Sequence, residues 1–275
     1  MKRVHCLLTV SVFSLLLFDS VTAQNFESKE LNGITIYYRI IGEGDPLVLL
    51  HGFTQTGKVW DLIIDDLATK YKLIIPDLRG HGLSTNPSDE FTHRQSALDV
   101  YALLDQLEID KFKAMGISTG GMTLLHMATK QQERIEAMVL IGATSYFPEQ
   151  ARKIMRTSSP DSLPQSQLEN IGKNHRRGAE QARSLMAQFS GFQDSYDDMN
   201  FTPPYLSTIT ARTLIVHGDR DAFFPVSIPV EQYEAIPNSY LWIVPNGGHV
   251  PLLHGEVSRS FFVHIVSNFL GSEWE

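Results

Sequence analysis

The stretch that most constrains the fold is residues 111–128, where an extended run turns into a helical pattern at Ser118. Glycines stand two positions before and two positions after this serine, at Gly116 and Gly120. Larger side chains at those positions would collide in so sharp a turn. The turn lifts the hydroxyl clear of the sheet edge, where the following helix directs its free N–H groups. The pattern predicts Ser118 as a nucleophile; an ordinary turn serine is the alternative.

Apolar strands and amphipathic helices alternate on both sides of this turn. Runs that are apolar on both faces suit parallel strands covered by helices, and they occur at residues 46–50, 71–75, 112–117, 137–141, 213–217 and 240–244. Helical spacing of apolar residues recurs near residues 60–67, 92–109, 122–128, 227–236 and 255–270. Asn32-Gly33 predicts the turn of an N-terminal antiparallel hairpin over residues 26–41. The sequence therefore predicts an α/β protein with a mostly parallel, doubly wound sheet.

Residues 145–210 break this alternation. They contain five prolines and two helical stretches, near residues 148–156 and 177–190, and no convincing strand. We interpret them as a helical cap inserted at the carboxyl edge of the sheet, where doubly wound folds bind ligands. The core then consists of residues 24–144 and 211–275.

The N-terminus has the pattern of an export signal. Lys2 and Arg3 are followed by an apolar run over residues 6–18, and Val21-Thr22-Ala23 forms a cleavage site of small residues. The apolar run is too short to span a bilayer comfortably, which favours export over anchoring. The pattern predicts a signal peptide over residues 1–23 and a secreted or periplasmic protein. A disordered segment or a buried N-terminal helix is the alternative.

Charge and cysteine content exclude several classes of partner. The formal net charge is −8 and no basic stripe is present, which argues against a nucleic acid. Cys6 is the only cysteine and would leave with the signal peptide, so the mature chain would have no disulfide and no thiol nucleophile. His51 and His81 have no carboxylate at a ligand spacing, and we predict no metal and no cofactor. The expected partner is a small-molecule substrate, without a stable membrane anchor, and the oligomeric state stays open.

Two loops after the late strands supply the groups that a nucleophilic serine needs. A base must take the hydroxyl proton, and an acid must orient that base. The first loop contains Asp219 and Asp221, and the second contains His249 directly after two glycines. Carboxyl ends of parallel strands share one edge of a sheet, so both loops should converge on Ser118. His249 is the predicted base, and either aspartate suits the acid.

This arrangement resembles the α/β-hydrolase fold, in the branch of single-domain serine hydrolases that have a helical cap and esterase or lactonase activity. The order nucleophile, acid, histidine is typical of that fold. His51-Gly52-Phe53 resembles the family's oxyanion loop, and residues 77–84 resemble its loop after the fourth strand. The resemblance covers nearly all of the chain after residue 23.

The resemblance implies a role for each matching residue. Ser118 would be the nucleophile and His249 the general base and then the general acid. Asp221, rather than Asp219, would hold the imidazolium. The backbone N–H groups of Phe53 and Thr119 would form the oxyanion hole.

The implied reaction is hydrolysis of an ester, a thioester or a lactone through an acyl-serine intermediate. Enzymes of this fold that open epoxides or remove halogen have a carboxylate at the elbow, and Ser118 argues against both chemistries. The same triad also suits hydrolysis of a C–C or amide bond, and perhydrolysis. A receptor-like protein of this fold with little turnover is an alternative from another class.

Large apolar residues in and near the insertion predict a pocket above Ser118. They are too numerous for a solvated loop, and methionine and aromatic side chains fill such a pocket adaptably. The expected lining residues are Phe53, Tyr146, Met186, Phe189, Phe223, Phe224 and Val250. An apolar pocket predicts acyl substrates of small or medium size.

Overall fold

The computed structural model describes residues 26–251, 256–271 and 274, so the predicted signal peptide lies outside the described residues. The described chain has an eight-stranded sheet in the order β1-β2-β4-β3-β5-β6-β7-β8. The strands are β1 (Glu27–Leu31), β2 (Ile34–Ile41), β3 (Asp45–Leu50), β4 (Tyr71–Pro76), β5 (Phe112–Ile117), β6 (Ile135–Ile141), β7 (Arg212–Gly218) and β8 (Ser239–Val244). β2 pairs antiparallel with β1 and β4, and the other neighbouring strands are parallel.

Helices alternate with the parallel strands, as the sequence predicts. They are α1 (Ile64–Ala68), α2 (His93–Gln106), α3 (Thr119–Lys130), α4 (Glu149–Thr157), α5 (Gln165–Gly172), α6 (Ala179–Gly191), α7 (Pro203–Leu206), α8 (Ser227–Ala235) and α9 (Glu256–Leu270). The N-terminal hairpin and the mostly parallel sheet are confirmed. Within the described residues, no helix is both long enough and apolar enough to cross a bilayer.

One predicted helix has a different form. The stretch near residues 60–67 is a 3₁₀ turn over Gly57–Leu62, followed by the short helix α1. Ile63, with φ of −135°, separates the two pieces. The apolar spacing nevertheless identifies the buried side chains correctly, because Trp60 and Leu67 are both fully buried.

The central strands of the sheet are buried on both faces, and successive side chains along each of them enter different apolar layers. In β3, Val48 and Leu50 pack in the layer that contains α2, α3 and α8. Leu47 and Leu49 pack in the opposite layer, with α1 and α9. This double burial explains why the strands are continuous apolar runs, and it holds the carboxyl ends of the strands in fixed positions.

Helices α4 to α7 lie between β6 and β7. The sequence predicts α4 and α6 but misses α5, whose eight residues contain only Leu168 and Ile171 as large apolar side chains. Leu168 packs against α6 in a small apolar cluster of the cap. The two ends of the insertion meet, because Phe201 N–H donates to Ser145 O at 2.9 Å.

Candidate active site

Ser118 lies in a strained turn between β5 and α3. Its φ is +49°, in the left-handed region that non-glycine residues rarely adopt. A Cβ atom on Gly116 would collide with the backbone of Gly120, and one on Gly120 would collide with Leu50 O. Ser118 N–H donates to Ile141 O at 2.8 Å, which fixes the turn to β6. Both glycines are therefore required by the turn that exposes the serine.

His249 and Asp221 form a hydrogen-bonded pair on neighbouring loops. Nδ1 of His249 lies 2.8 Å from Oδ2 of Asp221. The other carboxylate oxygen accepts from Phe223 N–H at 2.7 Å and from Phe224 N–H at 3.2 Å. The Asp221 side chain is fully buried, whereas the imidazole of His249 is 21% exposed. An ionised Asp221 keeps the ring proton on Nδ1, which leaves the lone pair of a base on Nε2.

The charge state of Asp221 follows from these contacts. Burial opposes its ionisation, but the hydrogen bonds from the side chain of His249 and the backbone N–H of Phe223 outweigh burial and lower the pKa of the carboxyl group. Asp219, the competing candidate, lies with Oδ1 at 3.8 Å from Nε of Arg220 instead. The geometry thus joins His249 to the aspartate that the family resemblance implies.

A second histidine, which the sequence analysis does not single out, lies behind Asp221. His217 is buried, and its Nε2 lies 3.7 Å from Oδ2 of Asp221. Its Nε2–H donates to Phe224 O at 2.9 Å. Burial lowers the pKa of His217, so it is neutral and shapes the acid loop without adding a charge.

Glycine lets the histidine loop approach the sheet. Gly142 follows β6 with φ of +57°, and a Cβ atom there would collide with His249 O. The amide of Gly142 donates to Val216 O at 3.0 Å. Ser118 and His249 line one cavity of about 400 Å³.

The two predicted oxyanion donors line the same cavity. Phe53 follows β3, and Thr119 is the first residue of α3. Neither backbone N–H has an acceptor among the described residues. The loop of Phe53 is folded tightly, because Gln55 N–H donates to Gly52 O at 3.1 Å and Thr54 has φ of +62°. Both amides are therefore available to an oxygen atom of a ligand.

His51 and Asp77 support this loop rather than line the cavity. Nδ1–H of His51 donates to Gly52 O at 2.8 Å, and Nε2 accepts from Leu78 N–H at 2.9 Å. The neutral ring satisfies both bonds, and burial lowers the pKa of His51 to about 3. Asp77 accepts from Gly57 N–H at 2.9 Å and from Leu83 N–H at 3.0 Å.

The cavity wall contains all but one of the predicted pocket residues. Those present are Phe53, Met186, Phe189, Phe223, Phe224 and Val250. The prediction for Tyr146 is wrong, because its side chain is 36% exposed and its neighbour Phe147 lines the cavity. Tyr146 pairs with Asn200 in an extended bridge, and successive side chains of extended backbone point in opposite directions. The apolar wall also includes Ile154, Met155, Ile171 and Phe192 from the cap.

One polar residue of the wall is absent from the sequence prediction. His93, at the start of α2, lines the cavity and bonds Asp198 with Nδ1 at 2.6 Å from Oδ2. The two residues are 105 positions apart, and no local motif links them. Among the described residues, no group of three or more metal-ligating side chains is placed to hold an ion.

Comparison with known proteins adds a family to this geometry. The family model for the alpha/beta hydrolase fold matches residues 45–180. The pimeloyl-[acyl-carrier protein] methyl ester esterase of Nitrosomonas europaea is 25% identical, over 80% of this chain and 94% of that protein. Serine hydrolase BPHL of Mus musculus is 27% identical, over 83% of this chain and 81% of that protein. The solved structure of Est816, described as an N-acyl homoserine lactone degrading enzyme, is 26% identical with a TM-score of 0.70, over 88% of this chain and all of that one.

These matches agree with the fold and with the position of the elbow. The matched residues 45–180 begin at β3 and include Ser118 and both candidate oxyanion donors. The two relatives cover 80% and 83% of this chain, more than the family model does. The chain belongs to the α/β-hydrolase fold family.

Proposed function

We propose that this hydrolase cleaves an ester, a thioester or a lactone of a small or medium apolar substrate through an acyl-Ser118 intermediate. One observation carries the proposal. The imidazole of His249, bonded to buried Asp221 at 2.8 Å, lines the same cavity as the strained serine. An oriented base in the same cavity as a serine hydroxyl is the arrangement that nucleophilic catalysis requires.

The proposed reaction proceeds in two steps. His249 Nε2 takes the proton of the Ser118 hydroxyl as Oγ attacks the carbonyl carbon, and the carbonyl oxygen becomes an oxyanion. The N–H groups of Phe53 and Thr119 donate to that oxyanion. The imidazolium, held by Asp221, returns the proton to the departing alkoxide or thiolate, which leaves an acyl-serine. Water then attacks the acyl group with His249 again as base, and this step releases the acid and the free serine.

The cavity supports a limited range of substrates. A volume of about 400 Å³ lies at the lower end of the range for ligand pockets. Phenylalanine and methionine side chains form most of its wall above the serine. The names of two relatives point the same way, since one acts on a methyl ester and another degrades a lactone.

A labelling and turnover experiment tests the proposal. The chain from residue 24 is treated with a fluorophosphonate and assayed on nitrophenyl esters from acetyl to dodecanoyl. Ser118→Ala should abolish labelling and lower kcat about 10⁴-fold or more. Ser207→Ala, which changes an exposed serine at the end of α7, is the matched control and should change neither.

The outcomes separate the alternatives. Labelling with no turnover of any ester would favour the receptor-like alternative. Faster cleavage of amides or C–C bonds than of esters would mean that the natural substrate is cleaved at that other type of bond. Labelling of Ser118→Ala at the wild-type rate would disprove the assignment of the nucleophile.

We also propose export, on the basic, apolar and small-residue pattern of residues 1–23. The full chain should be cleaved in a secreting host to give a protein that begins at Gln24. N-terminal sequencing of the secreted product checks this, and an intact Met1 on a retained protein would contradict it.

A further inference from the structure

The wall of the catalytic cavity contains an unsatisfied polar atom. His93 is fully buried and lines the same cavity as Ser118. Its Nδ1 bonds Asp198, but its buried Nε2 has no hydrogen-bond partner among the residues that the structure describes. Buried polar atoms of native proteins are nearly always paired. An orphan in the wall of a ligand cavity therefore indicates that a ligand supplies the partner.

The hydrogen bonds of Asp198 determine whether Nε2 of His93 is a donor or an acceptor. Besides the imidazole, the carboxylate accepts the backbone N–H groups of His93 at 2.8 Å and of Arg94 at 3.1 Å. Burial opposes its ionisation, but the hydrogen bonds from the side chain and the backbone of His93 outweigh burial and lower the pKa of Asp198 to about 2. Because the carboxylate accepts from Nδ1 of the ring, the ring proton lies on Nδ1 and the lone pair lies on Nε2. Nε2 is then an acceptor and needs a donor.

The aromatic rings packed around the imidazole offer no such donor. The rings of Phe91, Phe147 and Phe192 have their centroids 5.5, 5.9 and 5.3 Å from the imidazole. His126, which also contacts Asp198, donates its Nε2–H to the backbone oxygen of Asp198 at 2.7 Å. A buried acceptor among aromatic rings discriminates strongly, because an unpaired polar group is costly to bury.

We propose that His93 is a specificity-determining residue that accepts a hydrogen bond from a hydroxyl group of the substrate. The inference rests on the proposed function and narrows it to hydroxylated acyl esters, thioesters or lactones. His93 takes no part in breaking the bond. Asp198, which belongs to the cap, holds the ring through Nδ1 and leaves Nε2 without a partner among the described residues.

Two substitutions separate recognition from support. His93→Asn places an amide nitrogen where Nδ1 stands, so it keeps the donor to Asp198 and removes Nε2. His93→Gln places its amide near the position of Nε2 and loses the donor to Asp198. If His93 only supported Asp198, the glutamine variant would be the less stable one and neither variant would change substrate preference.

The readout is a ratio of kcat/KM values. Nitrophenyl hexanoate is compared with derivatives that carry one hydroxyl group, either near the carbonyl or at the far end of the chain. Both esters are assayed on the same enzyme sample, so any loss of folded protein cancels. Wild-type enzyme should prefer one hydroxylated ester by about tenfold. His93→Asn should bring the ratio close to one, and His93→Gln should retain part of the preference.

A third set of esters carries a ketone at the positions of the hydroxyl groups, so that it can accept but not donate a hydrogen bond. Three results would overturn the inference: no preference for a hydroxylated ester in the wild type, an unchanged ratio in His93→Asn, or a preference for a ketone ester over the matching hydroxylated ester. Failure of the proposed function is distinguishable, because it appears as absence of turnover of every ester. In that case the inference is tested by the binding of small alcohols, measured as a shift in Tm. Hexanol should raise the Tm of the wild type more than its isomer methyl pentyl ether, which has an oxygen atom but no hydrogen-bond donor, and His93→Asn should remove the difference. Equal shifts in the wild type would reject the inference.

Discussion

Two aspartates follow β7 within three residues, and their surroundings give them different chemistry. Asp221 is buried, accepts two backbone N–H groups and bonds His249, whereas Asp219 lies beside Arg220. A carboxylate that orients an imidazole sets its tautomer, and a carboxylate beside an exposed guanidinium does not. The residue types alone do not separate the two aspartates, whereas the family resemblance points to Asp221.

Asp221→Asn should therefore lower kcat on an aryl ester by about 10³- to 10⁴-fold, because the amide favours the wrong tautomer of His249. Asp219→Asn is the matched control and should change kcat less than about threefold. Steady-state kinetics on both variants check the ranking. A larger loss in Asp219→Asn would mean that the acid has been assigned to the wrong residue.

The site residues differ in how far the sequence could predict them. Ser118 and His249 have glycines beside them because their turns need small neighbours, and such patterns are visible in one dimension. The sequence does not separate Tyr146 from its neighbour Phe147, because it does not show which side of an extended segment faces the cavity. His93 pairs with Asp198 through tertiary packing alone, so no spacing could reveal it.

Helix α6 is one of the cap helices that line the cavity. Met186 and Phe189 line the cavity from this helix, and Leu185 is buried beside them without lining it. One helix thus offers both a test position for acyl length and a control position for packing.

Met186→Ala or Phe189→Ala should shift the preferred acyl chain to a greater length, by two or three carbons at about 1 kcal/mol per methylene. Leu185→Ala makes a similar truncation on the same helix and should lower stability without moving the optimum. The ratios of kcat/KM across a series of acyl lengths check this. An unchanged optimum in both cavity variants would show that the cap does not select the acyl group.

The segment between α5 and α6 binds the cap to two loops of the core. Nδ1 of His175 accepts from Gly82 N–H at 2.8 Å, and its Nε2–H donates to Thr54 O at 3.0 Å. Burial lowers the pKa of His175, so the neutral ring makes both bonds at once. Thr54 directly follows Phe53, and the cap therefore helps to hold the loop of the proposed oxyanion donor.

Replacing His175 by leucine should lower the free energy of unfolding by about 2 kcal/mol, because the amide of Gly82 then loses its acceptor. Lys173→Leu changes an exposed residue of the same segment and should stay within about 0.5 kcal/mol. Urea unfolding of the two variants measures both values. Equal stabilities would mean that these hydrogen bonds contribute nothing net.

At the element scale the sequence predicts most of the fold. Strands that are buried on both faces give unbroken apolar runs, and long amphipathic helices give a regular spacing of apolar residues. Both types of element are therefore predictable from the sequence. Helix α5 was missed because its eight residues have two large apolar side chains and face a small cluster inside the cap. Short elements of this kind are stabilised by tertiary contacts rather than by local pattern.

For the whole molecule, buried neutral histidines predict a loss of stability in mild acid. Burial lowers the pKa of His51 to about 3 and that of His126 to about 4. The unfolded chain binds protons at these residues below about pH 6.5, whereas the folded chain does not. Stability therefore falls as the pH falls through this window. The lowered pKa of Asp198 adds nothing there, because its carboxyl group is ionised in both states.

Between about pH 7.5 and pH 5, each of these histidines should lower the free energy of unfolding by about 2 kcal/mol. His126→Gln removes one titrating group, so its loss over this interval should be smaller than that of the wild type by about 2 kcal/mol. Urea unfolding at the two pH values checks this. Equal losses in variant and wild type would contradict the assignment of His126.

The two ends of the cap insertion lie side by side, and this affects how the protein can evolve. Tyr146 pairs with Asn200, and Phe201 bonds Ser145, so the chain enters and leaves the cap at one short ladder. A segment that leaves and returns at one place can gain, lose or exchange residues at little cost in loop entropy. Mutations in the cap can thus change the substrate specificity while the strands that hold Ser118 stay unchanged. Proteins that evolve from this chain can therefore differ in their substrates and keep the same catalytic residues.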